Sequence, residues 1–167
     1  GIVSGIGAFS LAKDIGVSNK EAKHYIESYL AHYSGVDSYM KNVVEKANAD
    51  GYVETMFGRR RNLPELTSSK HMIRAFGERV ARNMPIQGTA ADIIKIAMIK
   101  VDERMKAETL RARLVLQVHD ELIVEAPQDE SMRVALIVQE EMENAVKMSV
   151  PLTADAAIGR TWYDAKG

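Results

Sequence analysis

Two apolar runs, Leu114-Val115-Leu116-Gln117-Val118 and Leu122-Ile123-Val124-Glu125, stand three residues apart. Runs this short and this rich in branched side chains read as strands, and so short a joint obliges them to fold back on each other. The chain must therefore contain an antiparallel hairpin with His119-Asp120-Glu121 at its tip. Around the hairpin the apolar period is helical. Thr89 with Asp92 opens a long helix to about Ala107, striped by Ile93, Ile94, Ala97, Met98 and Val101. Pro127 precedes a second amphipathic helix, from about Glu130 to Met148. Residues 150 to 157 read as a last strand, and Thr161-Trp162-Tyr163 packs the chain end. Helix, hairpin, helix and strand in that order make an α+β layer, an antiparallel sheet backed by helices.

Upstream, Ser18-Asn19-Lys20-Glu21 forms a capping box, so a helix follows with Tyr25, Ile26, Tyr29 and Leu30 on its buried face. Ser34-Gly35 breaks it, and a further helix runs to about Asn48, striped by Val36, Tyr39, Met40, Val43, Val44 and Ala47. Gly51 to Met56 is strand-like, Phe57-Gly58 turns the chain, and Arg59 to Leu63 returns until Pro64 stops it. A helix from about His71 to Asn83 follows, and Met84-Pro85-Ile86-Gln87-Gly88 interrupts it.

Composition narrows the chemistry. With no cysteine among 167 residues, disulfides, Cys-ligated zinc and thiol catalysis are excluded. No apolar run is long enough to cross a bilayer, so no membrane partner is expected. The start at Gly1 carries neither an initiator Met nor the basic segment of a secretory signal, and we expect a piece of a longer chain. A net charge of −1 does not by itself point to nucleic acid. Its distribution does more. Arg59, Arg60, Arg61, Lys70, Arg74, Arg79 and Arg82 face only Glu65 and Glu78, whereas acids gather later, from Asp120 to Glu143. Two solvated surfaces are the ordinary reading, and a phosphate grip beside a metal-binding end is the other.

Asp120 and Glu121 are adjacent like charges on a tight turn. They repel unless solvent or a cation compensates them, and a hard divalent ion suits oxygen ligands. Mg²⁺ takes only one or two protein carboxylates and leaves its other positions to water and phosphate oxygens. His119 could tune such a site or bond a primer 3′ end, and a structural histidine is the alternative. Arg79 and Asn83, four apart, share a helix face, and Gln87 follows after Pro85. All three donate hydrogen bonds. Every Watson–Crick pair shows minor-groove acceptors, so a row of donors can hold paired duplex without reading sequence. The competing role is the capping of helix ends.

Met84-Pro85-Ile86-Gln87-Gly88-Thr89-Ala90-Ala91-Asp92-Ile93-Ile94-Lys95 and Leu116-Gln117-Val118-His119-Asp120-Glu121-Leu122 resemble the bacterial polymerases of DNA polymerase family A. So do Gly51-Tyr52-Val53-Glu54-Thr55, Arg59-Arg60-Arg61-Asn62-Leu63-Pro64 and the Gly-Ile-Gly-Ala-Phe run from Gly5 to Phe9. The resemblance covers the whole chain. It implies a helical portion of the fingers over 1–69 and the C-terminal part of the palm over 70–167, an antiparallel sheet backed by helices. It also implies that the upstream palm strand with its catalytic Asp, and the thumb, lie outside this sequence. The upstream strand would sit between the second hairpin strand and a last strand near Leu152. Asp120 would bind the catalytic Mg²⁺ ions, two in the complete enzyme, with Glu121 and His119 assisting. Arg79, Asn83 and Gln87 would contact the primer–template DNA in its minor groove, and Arg74 would contact the template strand. Ser4 stands at the nucleotide insertion site, where the family normally has Tyr. The implied reaction is addition of a dNTP to a primer 3′-OH with release of pyrophosphate, in cytoplasmic replication and repair. It needs the upstream half of the same polymerase. A non-catalytic, sequence-independent duplex-binding module is the alternative in a different class.

Overall fold

A computed structural model of the protein describes residue 2 and residues 6–166. The chain separates into two compact units, Gly1–Thr89 and Ala90–Gly167.

The first unit begins with α1 (Ala8–Ile15), α2 (Asn19–His32) and α3 (Ser34–Asp50). Ser18 caps α2: its hydroxyl accepts the Glu21 amide at 3.2 Å, and the Ser18 amide donates to Glu21 Oε2 at 3.0 Å. The break after α2 falls at Tyr33, and Ser34-Gly35 already belongs to α3. Met40 and Ala47 of the anticipated α3 stripe are buried, but Tyr25 and Tyr39 are exposed. Strands β1 (Tyr52–Glu54) and β2 (Arg60–Asn62) pair antiparallel, Val53 opposite Arg61. Gly58, at φ 80°, supplies the left-handed residue their connection needs. A 3₁₀ turn, Pro64–Thr67, carries the chain to α4 (His71–Ala107). Val53, Leu63, Leu66, Ala47 and Ala81 form the core of this unit.

The anticipated interruption at residues 84–88 does not occur. Helix α4 runs through Pro85 for 37 residues. Proline removes one N–H, the partner of the Ala81 carbonyl, and the turns on either side carry the helix past that gap.

In the second unit β3 (Arg113–Val118) and β4 (Glu121–Glu125) pair antiparallel, as their short apolar runs and short joint foretell. A bulge between Leu114 and Leu116 shifts the register, so Leu116 pairs with Ile123. Leu114, Leu122 and Val124 pack on a core of Val101 and Met105 from α4 and Val134 and Ile137 from α5 (Ser131–Glu143). Glu130, just before α5, accepts the amides of Arg111 at 2.9 Å and Ala112 at 3.2 Å, which fixes where β3 starts. A short α6 (Trp162–Lys166) follows. The anticipated last strand is absent, because residues 151–159 take no regular structure. Strand propensity alone does not make a strand when no edge pairs with it. The α+β class stands, with two small two-stranded antiparallel sheets among helices.

Candidate nucleic-acid interface and metal-binding tip

Because α4 is continuous, Arg79, Asn83 and Gln87 recur at four-residue intervals along one side of it. Eight residues of helix set the ends of this row about 12 Å apart. The three side chains line a single open groove of about 420 Å³ together with Arg61, Phe76 and Gly88. Arg79 and Gln87 are exposed and Asn83 is half-buried. The Arg79 guanidinium lies 5.9 Å from the Phe76 ring centroid, a cation–π distance that holds it over the groove wall. Arg61 reaches the same groove from β2. Neither Arg61 nor Arg79 makes an ion pair among the described residues, which leaves both charges for an anionic ligand.

Three other arginines of the basic stretch are more committed. Arg60 Nε donates to Glu54 Oε2 at 3.1 Å, and its guanidinium stacks 4.3 Å from the Tyr52 ring. Arg82 pairs with Glu78 at 3.3 Å. Arg74 Nη1 donates to the Ser68 carbonyl at 2.9 Å and the Ser69 carbonyl at 3.0 Å, tying down the loop before α4. Arg74 does not line the groove that holds the other three donors.

At the other candidate site, Val118 pairs with Glu121, so His119 and Asp120 make a two-residue turn. His119 sits at φ 53°, a left-handed conformation that costs a non-glycine residue energy. The Gln117 side-chain amide donates to the His119 carbonyl at 2.5 Å and braces the turn. His119 and Asp120 are exposed. Glu121 Oε1 lies 3.4 Å from Lys166 Nζ of α6, while its Oε2 is buried without a hydrogen-bond partner. A carboxylate oxygen withheld from water and left unpaired asks for a cation or a donor. Among the described residues no group of three or more His, Cys, Asp or Glu could hold a metal. Asp120 and Glu121 are two adjacent carboxylates, a number that Mg²⁺ accepts when water and phosphate supply its remaining ligands.

Ser4, expected at the nucleotide insertion site, lies outside the described residues. Sequence reasoning placed Arg61 only within a basic run. The alternation of β2 could have aimed it, but the groove it joins is tertiary. The Lys166–Glu121 contact had no local signal at all. Among the described residues no helix is long and apolar enough to cross a membrane.

The model of DNA polymerase family A matches residues 1–164. DNA polymerase I of Bacillus caldotenax is 53% identical over 99% of this chain, and that of Geobacillus stearothermophilus is 52% identical over the same share. DNA polymerase I of Bacillus subtilis is 51% identical. The chain spans 19% of the length of each of these relatives. Among solved structures, the POL domain of Pol1 from M. smegmatis, in complex with DNA primer-template and dNTP, matches with a TM-score of 0.95 and 46% identity. That match covers 100% of this chain and 30% of the other.

Proposed function

The chain belongs to DNA polymerase family A, and from that membership we propose that it is the part of a template-directed DNA polymerase that grips the primer–template and supplies one carboxylate cluster of the metal site. In this reading residues 1–69 are the latter part of the fingers and 70–167 most of the palm, in a cytoplasmic enzyme of bacterial replication and repair. The observation that carries it is the groove whose lining Arg79, Asn83 and Gln87 share with Arg61. Neutral donors at Asn83 and Gln87 suit purine N3 and pyrimidine O2, which every correct pair presents. The two guanidinium groups suit the flanking phosphates and fix register without reading sequence. Arg74 serves the same grip by holding the loop that leads into α4.

In the reaction, the primer 3′ oxygen bonds to the α-phosphorus of a dNTP, the bond from that phosphorus to the bridging oxygen breaks, and pyrophosphate leaves. Asp120 and Glu121 are the residues of this chain that would hold Mg²⁺. When bound, two such ions stabilise charge on the attacking and leaving oxygens. The chain's own part is positional. The turn at His119 holds Asp120 at the tip of the hairpin, and Lys166 restrains Glu121 beside it. His119, exposed in the same turn, is the candidate to bond the primer end. Further ligands come from the upstream half of the same polymerase.

The test of the grip is fluorescence anisotropy with duplex DNA of several sequences. Binding falls steeply with salt, since phosphate contacts release counterions. Arg79→Ala weakens every sequence about equally and lowers the salt slope by about one. Binding that ignores salt, or that prefers one sequence strongly, defeats the reading.

A further inference from the structure

We propose that Thr89 is a positioning residue for the duplex grip: its buried hydroxyl clamps the β1–β2 turn to the Pro85 segment of α4 and so fixes Arg61 beside Arg79, Asn83 and Gln87. This rests on the reading of the groove given above.

Pro85 lies inside the donor row, between Asn83 and Gln87, and is the place where α4 lacks a ladder hydrogen bond. A helix with such a gap bends easily, and a bend there would splay the row. Thr89 is only 7% exposed, one turn further on. Its Oγ1 donates to the Pro85 carbonyl at 2.5 Å and accepts the Met56 amide at 3.0 Å. A helical threonine usually bonds its own helix alone. Here the same oxygen also reaches an element 33 residues earlier. The hydroxyl thus uses its donor and an acceptor pair together.

What it holds is itself rigid. Thr55, 4% exposed, accepts the amides of Phe57 and Arg59 on its Oγ1, each at 3.2 Å. That shapes the turn leading directly into β2 and Arg61. The contact with α4 is close: a Cβ added at Gly88 would fall 2.7 Å from Thr55 Cγ2. Glycine is therefore required for the turn to sit this near the helix. Gly88 gives the approach, Thr89 locks it, and the arginine of the hairpin comes to the groove of the helix.

The experiment compares wild type, Arg79→Ala, Thr89→Val, Thr89→Ser and the Thr89→Val/Arg79→Ala pair. A mixed-sequence primer–template duplex is the probe, with anisotropy for affinity and hydrogen exchange for the Met56 amide. Thr89→Val keeps the shape and removes the hydroxyl. It should weaken binding about three- to tenfold, the weight of one net hydrogen bond, and speed Met56 exchange. Thr89→Ser restores both. In the pair, the added loss from Thr89→Val falls below about twofold, because its effect passes through the row that Arg79→Ala has already broken. Arg79→Ala at wild-type affinity defeats the groove reading itself. Weakened Arg79→Ala with Thr89→Val at wild-type affinity, or with losses that simply multiply, overturns the role of Thr89 and leaves the groove standing. If Thr89→Val fails to fold, Gly88→Ala makes the same comparison, since it pushes the turn away with the hydroxyl intact.

Discussion

Arg133 closes on Glu108 with two hydrogen bonds, Nε to Oε2 at 2.6 Å and Nη2 to Oε1 at 2.5 Å. The pair ties α5 to the residue that follows α4. Arg104 joins it, 3.3 Å from Glu108 and 2.8 Å from Glu141. The Arg133 hydrogen bonds hold the Glu108 carboxyl below its ordinary value of 4.5, with burial opposing. A depressed carboxylate stabilises the fold above its unfolded value and loses that contribution as pH falls through its folded value. The second unit should therefore melt progressively earlier below about pH 4.5, and Glu108→Gln should flatten that dependence. Thermal melts from about pH 3 to 7 in low salt check it. An unchanged acid slope in Glu108→Gln contradicts the assignment.

Arg74 and Arg79 are predicted to fail differently. Arg74 spends Nη1 on two backbone carbonyls, whereas Arg79 stands over an open groove. Arg74→Ala should cost about 1.5–3 kcal/mol of stability, the range for hydrogen bonds to a charged group, and change duplex affinity less than Arg79→Ala. Arg79→Ala should leave the melting temperature nearly unchanged. Denaturant melts paired with anisotropy separate the two, and a reversed pattern would exchange their roles.

The β3–β4 hairpin has no third strand among the described residues. On the face away from the core, Leu116 is 48% exposed and pairs with a half-buried Ile123. An open apolar edge templates pairing with another chain, and a lone hairpin is marginal by itself. The 167-residue polypeptide should therefore self-associate as concentration rises, with weak amide protection along the hairpin's outer edges. Light scattering with hydrogen exchange checks this. A monomer at high concentration with strong protection there would show that the hairpin needs no further cover.

The hairpin and its acidic tip were legible because two short apolar runs and a tight joint leave one solution. Arg79 and Asn83 were legible as neighbours because four-residue spacing holds on any helix, whereas Gln87 was expected beyond a break and joins them only because α4 continues. Pro85 misled, since its local cost suggested a break, while the helix on both sides was strong enough to continue. Residues 150–157 misled in the opposite sense, because their propensity found no partner edge. Tyr25 and Tyr39 fit a helical stripe yet face solvent, for periodicity cannot say which neighbours arrive. Thr89 reads as a helix start by its type and proves to be a joint between two elements. Only tertiary structure could reveal that.

If Asp120 serves nucleotide addition, its loss shows in primer extension. The assay compares wild type with Asp120→Ala in a chain of the relatives' length that carries these residues. Asp120→Ala should lower template-directed incorporation by about a hundredfold or more, as expected when charge stabilisation is lost from a phosphoryl-transfer site, while duplex affinity stays near wild type. Incorporation within about twofold of wild type, in a range where side-chain losses are ordinarily negligible, would contradict the account and leave a duplex-binding module in its place.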